Sequence, residues 1–99
     1  MIEHIVLFEM KPGIGPERER ELIQRLLALK DKIPGIVDIT AGKDISGRGG
    51  PYSIGLVVRM KDRETLQAYG PHPAHQEVVR FVEEVCASRV VIDYEVPEA

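Results

Sequence analysis

The sequence has a single cysteine, Cys86, no run of Lys and Arg, and no apolar stretch near the roughly 20 residues that a membrane span needs. One thiol excludes an internal disulfide framework and fits a reducing compartment. Thirteen Lys and Arg against sixteen Asp and Glu leave a formal net charge of −3. Without a clustered basic surface to neutralise phosphates, nucleic acid is not an expected partner. The chain runs from Met1-Ile2-Glu3-His4 straight into an apolar segment, with no basic stretch or cleavage site before it, so the expected location is the cytoplasm and no membrane partner is expected. Repeats, low-complexity tracts and linkers are also missing. What is there is 99 residues, 43% apolar and 29% charged, the composition of one ordinary folded domain spanning 1–99.

Element order follows from periodicity and breakers. Ile2 to Met10 reads as a strand ended by Lys11-Pro12-Gly13. Pro16 opens a helix whose Leu22, Ile23, Leu26, Leu27, Leu29 and Ile33 recur at spacings of three and four, until Pro34-Gly35 stops it. Strands are predicted over 36–41 and 52–60, joined by a glycine-rich loop over 42–51. Asp62 caps a short helix through Ala68, a further helix is predicted from Pro73 to about Ser88, and Arg89 to Val96 forms the last strand. The order β-α-β-β-α-β is that of an α+β ferredoxin-like fold, a four-stranded antiparallel sheet with helices on one face. Both parities of its strands carry hydrocarbon: Val6 and Phe8 against Ile5 and Leu7, and Val91 against Val90, Ile92 and Tyr94. A sheet with helices on one face then keeps an apolar second face, and the simplest cover is a second copy of the chain, a homodimer through the sheet face.

The chemistry-bearing segment is Tyr69-Gly70-Pro71-His72-Pro73-Ala74-His75. His72 precedes proline and suits a helix N-cap, which places His75 in the first helical turn, where the positive end of the helix disfavours imidazolium. A neutral His75 is a candidate general base, and Tyr69 a candidate donor to a carbonyl or enolate oxygen. His4 shares a parity with Val6 and Phe8 and would line the same pocket if that parity faces the helices. The same residues also read as a cap, a surface histidine, a ring anchor and a satisfied core histidine. His72 and His75 stand three apart, as in some zinc pairs, but no cysteine or carboxylate completes a ligand set, so no metal and no cofactor is expected. Gly47-Arg48-Gly49-Gly50 leads to a strand rather than a helix and reads as a flexible connection, not a phosphate loop.

With these residues assembled, the chain resembles the stress-responsive A/B barrel family, Dabb. The resemblance is carried by Glu3-His4-Ile5-Val6-Leu7-Phe8, Ile33-Pro34-Gly35-Ile36, Gly42-Lys43-Asp44, the block from Tyr69 to His75, and Val91-Ile92-Asp93-Tyr94. It implies a ferredoxin-like subunit and a dimeric α/β barrel made by sheets set face to face. A plant polyketide-cyclase branch of that family closes its substrate by aldol condensation, with a Tyr and a His that fall on Tyr69 and His75 and a pocket histidine that falls on His4. The aromatic residues lining that branch's pocket are replaced here by Leu22, Ile23 and Leu26. The expectation is therefore a small, partly apolar ligand held by His4, His72, Val6, Phe8, Leu22, Leu26 and Val78. A cyclase- or isomerase-like enzyme using His75 and Tyr69 is the alternative, and a barrel enzyme like the antibiotic-biosynthesis monooxygenases a further one. An assembly whose working part is the oligomer itself is another reading.

Overall fold

Nine residues, Ile2–Met10, form β1, one of the two central strands of the sheet in a computed structural model that describes residues 1–97. The remaining elements are α1 (Pro16–Leu27), β2 (Ile36–Lys43), β3 (Ile54–Met60), α2 (Arg63–Tyr69), α3 (Pro73–Val85) and β4 (Cys86–Glu95). All strand pairs are antiparallel, in the order β2-β3-β1-β4. This is the ferredoxin-like arrangement expected from the element order.

Parity decides what each strand buries. In β3, Ile54, Leu56, Val58 and Met60 are buried, and the alternate residues Val57 and Arg59 are exposed. In β1, Ile2, His4, Val6 and Phe8 turn to the helices. Leu22 and Leu26 of α1 and Val78, Phe81, Val82 and Val85 of α3 close over them. The opposite face carries Leu7, Val57, Val90, Ile92 and Tyr94, all substantially exposed. β4 is an edge strand beyond the helical cover, so even its inward residue Val91 is nearly half exposed.

Three boundaries differ from the sequence reading. The first helix gives way after Leu27 to a 3₁₀ turn over Ala28–Asp31, where Lys32 N–H reaches the Leu29 carbonyl at 3.1 Å. A tightened last turn of this kind satisfies helix-end carbonyls and still buries Leu29 and Ile33. The last helix ends at Val85, not near Ser88, because β1 is long enough for Met10 to pair with Cys86. Cys86 is thus a buried strand residue rather than a helical one, and its Sγ lies 3.8 Å from Met10 Sδ. The second strand runs on to Lys43, pairing with Ile54, where the third strand begins.

Two glycines carry specific loads. Gly35 has φ +92°, and a Cβ there would collide with the Thr65 side chain that α2 packs against the turn. Gly49 has no room for a Cβ beside the Tyr52 carbonyl. That loop is organised by Asp44, which accepts from Ser46 Oγ at 2.7 Å, Ser46 N at 2.9 Å and Gly49 N at 3.1 Å. It borders a hollow beside Leu7 and Gly55 on the outer face, not the space between sheet and helices. No helix among the described residues is long and apolar enough to cross a membrane.

Candidate functional site

Two caps position the site. Asp62 accepts from Thr65 N at 2.9 Å and Thr65 Oγ1 at 2.7 Å, starting a short α2 that ends on Tyr69. His72, held extended before Pro73 (φ −60°, ψ 133°), caps α3 by accepting from Ala74 N at 3.1 Å. His75 then falls in the first turn of α3 and its Nδ1–H donates to the Gly70 carbonyl at 3.0 Å. That bond selects the tautomer and leaves Nε2 with a free lone pair. The same carbonyl accepts from Gln76 Nε2 at 2.6 Å, which ties the turn to the helix.

Three rings meet there. The Tyr69 and His75 centroids are 4.3 Å apart, tilted by 45°, and His4 lies edge-on to Tyr69 at 5.2 Å. On its other side His4 Nδ1–H donates to Asp93 Oδ1 at 2.5 Å. Cross-strand register makes this possible, since Asp93 of β4 is directly opposite His4 of β1. The rings border a cavity of about 180 Å³ between sheet and helices, whose walls include Val6, Phe8, Leu26, Leu56, Val78 and Val82. A cavity of about 150 Å³ holds a benzene ring, so the space suits a ring-sized or short-chain body.

The groups differ in proton affinity. Burial, reinforced by the Asp93 charge, pushes the Tyr69 phenol up to about 12, so it remains a donor at neutral pH. Its hydroxyl has no hydrogen-bond partner among the described residues and is not sealed off. Burial lowers the His75 imidazole below its ordinary 6.5; the bond to Gly70 opposes this, and Coulombic repulsion from His4, Arg89 and His72 adds to it. Neutral His75 with an open Nε2 can take a proton, and Tyr69 can give a hydrogen bond to the oxygen that becomes negative.

Of the residues singled out in the sequence, His4, Tyr69, His75, Val6, Phe8, Leu26 and Val78 border this cavity. Leu22 and His72 do not: Leu22 is wholly enclosed in the core, and the His72 ring is spent on the cap. Sequence reading missed Asp93 behind His4, and Leu56, Val79, Val82, Arg89 and Val91 in the walls. The parity shared by Arg89, Val91 and Asp93 was the available signal, but only the β1–β4 register aligns it with Phe8, Val6 and His4.

Residues 2–96 match the stress responsive A/B barrel domain, Dabb. An uncharacterised protein of Streptomyces coelicolor is 33% identical over 97 residues, covering 96% of this chain and 99% of that one. Olivetolic acid cyclase of Cannabis sativa is 28% identical over 76 residues, covering 75% of each chain. Among solved structures, the Arabidopsis thaliana protein At3g17210 superposes with a TM-score of 0.90 at 27% identity, covering 100% of this chain and 98% of that one. A dimeric ferredoxin-like protein of Thermobifida fusca gives 0.84 at 25% identity, covering 96% and 90%. The family model spans all the strands and helices that build the three-ring cavity, and this chain belongs to the stress responsive A/B barrel domain family.

Proposed function

We propose that this protein is a homodimer that holds a small, partly apolar molecule in the cavity between sheet and helices. The observation that carries the ligand reading is the placement of Tyr69 and His75, each with an uncommitted polar atom, on a space whose other walls are hydrocarbon apart from His4 and Arg89. A core built for stability alone gains nothing from open polar groups there. The dimer reading rests on the outer sheet face. Covering Leu7, Val57, Val90, Ile92 and Tyr94, already partly buried, contributes about 1 kcal/mol each, or about 10 kcal/mol for two copies, before association costs. The dimeric Thermobifida relative supports it. The lone buried thiol, Cys86, raised in pKa by that burial, fits the reducing cytoplasm.

A second reading is favoured by the free Nε2 of His75 opposite the Tyr69 phenol: a catalyst that removes a proton beside a carbonyl. His75 takes the proton from carbon, the electron pair moves onto the carbonyl oxygen, and Tyr69 donates a hydrogen bond to that enolate. Ring closure or isomerisation follows when the enolate attacks a second carbonyl or is reprotonated elsewhere. The cyclase relative supports this class of chemistry.

Both readings are tested by titrating the full-length protein with a panel of small aryl and alkyl ketones in D₂O, following protein resonances and α-proton exchange by NMR. Shifts at Tyr69, His75 and Val78 support the ligand site, and exchange that depends on His75 supports catalysis. A panel that moves none of these resonances overturns the ligand reading, and binding without exchange overturns the catalytic one.

A further inference from the structure

Of the residues bordering the cavity, Arg89 alone carries a permanent charge. It has no ion-pair or hydrogen-bond partner among the described residues, whereas other charged strand residues have one: Glu3 pairs with Arg59, Asp93 with His4, and Glu95 with Arg63 of α2. Its position follows from register. Arg89, Val91 and Asp93 occupy alternate places on one side of β4, opposite Phe8, Val6 and His4. At about 3.4 Å per residue, Arg89 and Asp93 are roughly 13 Å apart along the strand at the backbone, with hydrocarbon between them. The cavity therefore has an acid–base end at His4, Tyr69 and His75, an apolar middle, and a cationic group rooted at its other end.

We infer that the ligand is a small monocarboxylic acid, of one ring or a short chain, whose carboxylate sits on the Arg89 guanidinium while its body lies against Val6, Val82 and Val91. The inference rests on the cavity being a ligand site and adds its chemical class. A planar guanidinium matches a carboxylate with two parallel hydrogen bonds. A doubly charged phosphate fits poorly, because Arg89 is the single fixed cation in the walls and the nearest helix N-terminus is already capped by His72. The carboxylate Asp93 does not oppose the anion strongly, being engaged by His4. The whole chain is net negative, so attraction for an anion is local to this site. The guanidinium is also close enough to add to the lowering of the His75 pKa.

The test compares benzoate with benzamide, nearly the same in size but differing in charge, by NMR titration of the full-length protein and of Arg89→Gln and Arg89→Lys variants. Benzoate is expected to bind about tenfold more tightly than benzamide, shifting the Arg89 side chain and the His75 ring together. Arg89→Gln removes that preference, and Arg89→Lys keeps part of it. Because Arg89 is exposed, both variants should keep the parent melting temperature. Equal binding of the two probes, or a benzoate preference that survives in Arg89→Gln, overturns the inference while leaving the cavity as a ligand site. Inorganic phosphate binding as tightly as benzoate and moving Arg89 alone reveals a surface anion site and also overturns it. If neither probe moves any cavity resonance, the ligand reading fails and this inference with it.

Discussion

Glu3 and His4 are neighbours in β1, face opposite sides of the sheet and are both nearly buried, at 5% and 9% exposure, yet they are partnered quite differently. His4 faces the helices and belongs to a chain of groups: Asp93 across the strand, Tyr69 edge-on, then His75. Glu3 faces outward and has one partner, Arg59 of β3, whose Nε donates to Oε1 at 2.6 Å; its Oε2 is enclosed without any partner. Beside that pair are Lys30, Asp38 and Thr40 as well as Val37 and Val57. A buried polar group is stabilised by full hydrogen bonding and costs free energy when left short. The inner face thus surrounds its polar group with further polar groups and a space to work in. The outer face leaves one pair unfinished.

The sharpest test of that contrast is His75→Ala. On a ketone that the protein exchanges, the rate should fall by about 10²–10⁴-fold with the oligomeric state unchanged. Ile92→Lys is the reciprocal change. Placed twice in a dimer, it should weaken association about 100-fold in sedimentation equilibrium, while probe shifts at Tyr69 and His75 persist. Should Ile92→Lys instead erase the cavity response and leave the dimer intact, the two faces would have been assigned the wrong way round.

A smaller effect separates the two polar pairs. Arg59→Ala leaves the enclosed Glu3 carboxylate without its cation and should cost about 1–3 kcal/mol in denaturant unfolding. Asp93→Asn should cost less, since the Asp93 side chain is 36% exposed and asparagine still accepts from His4. Its mark should be a loosened His4 ring, read as a larger change in cavity binding than in stability. Equal stability losses for the two variants would remove the distinction between a satisfied network and an isolated pair.

The smallest expected effect is electrostatic. The pKa of His75 in the fold is below its ordinary 6.5, so the unfolded chain binds the proton more readily. The resulting stabilisation is complete above about pH 6.5 and is lost as the pH falls through the folded value. An imidazole NMR titration should give a midpoint below 6.5, and His75→Gln should flatten that part of the stability profile. A midpoint well above 7 would mean that the ring is mostly charged at neutral pH and is a poor base at rest.

Much of this molecule is local and was legible in the order of residues. Alternation set His4, Val6 and Phe8 on one face and Ile5 and Leu7 on the other, because strand side chains point to opposite faces with a period of two. Asp62 and His72-Pro73 marked two helix starts through capping chemistry that needs only neighbours in the chain. These signals also brought Tyr69 and His75 within one turn of each other.

Other features depend on pairing across distance. His4 and Asp93 are 89 positions apart, and a shift of one residue in the β1–β4 register would send Asp93 to the outer face. The same register brings Arg89 to the cavity, ends α3 at Val85 and makes Cys86 a strand residue. It is set by the summed packing of two whole strands, a quantity that no short stretch of sequence contains. Local signals thus gave the order of elements and the residues that share a strand face, and long-range packing chose the face that meets the helices and the distant side chains that meet there.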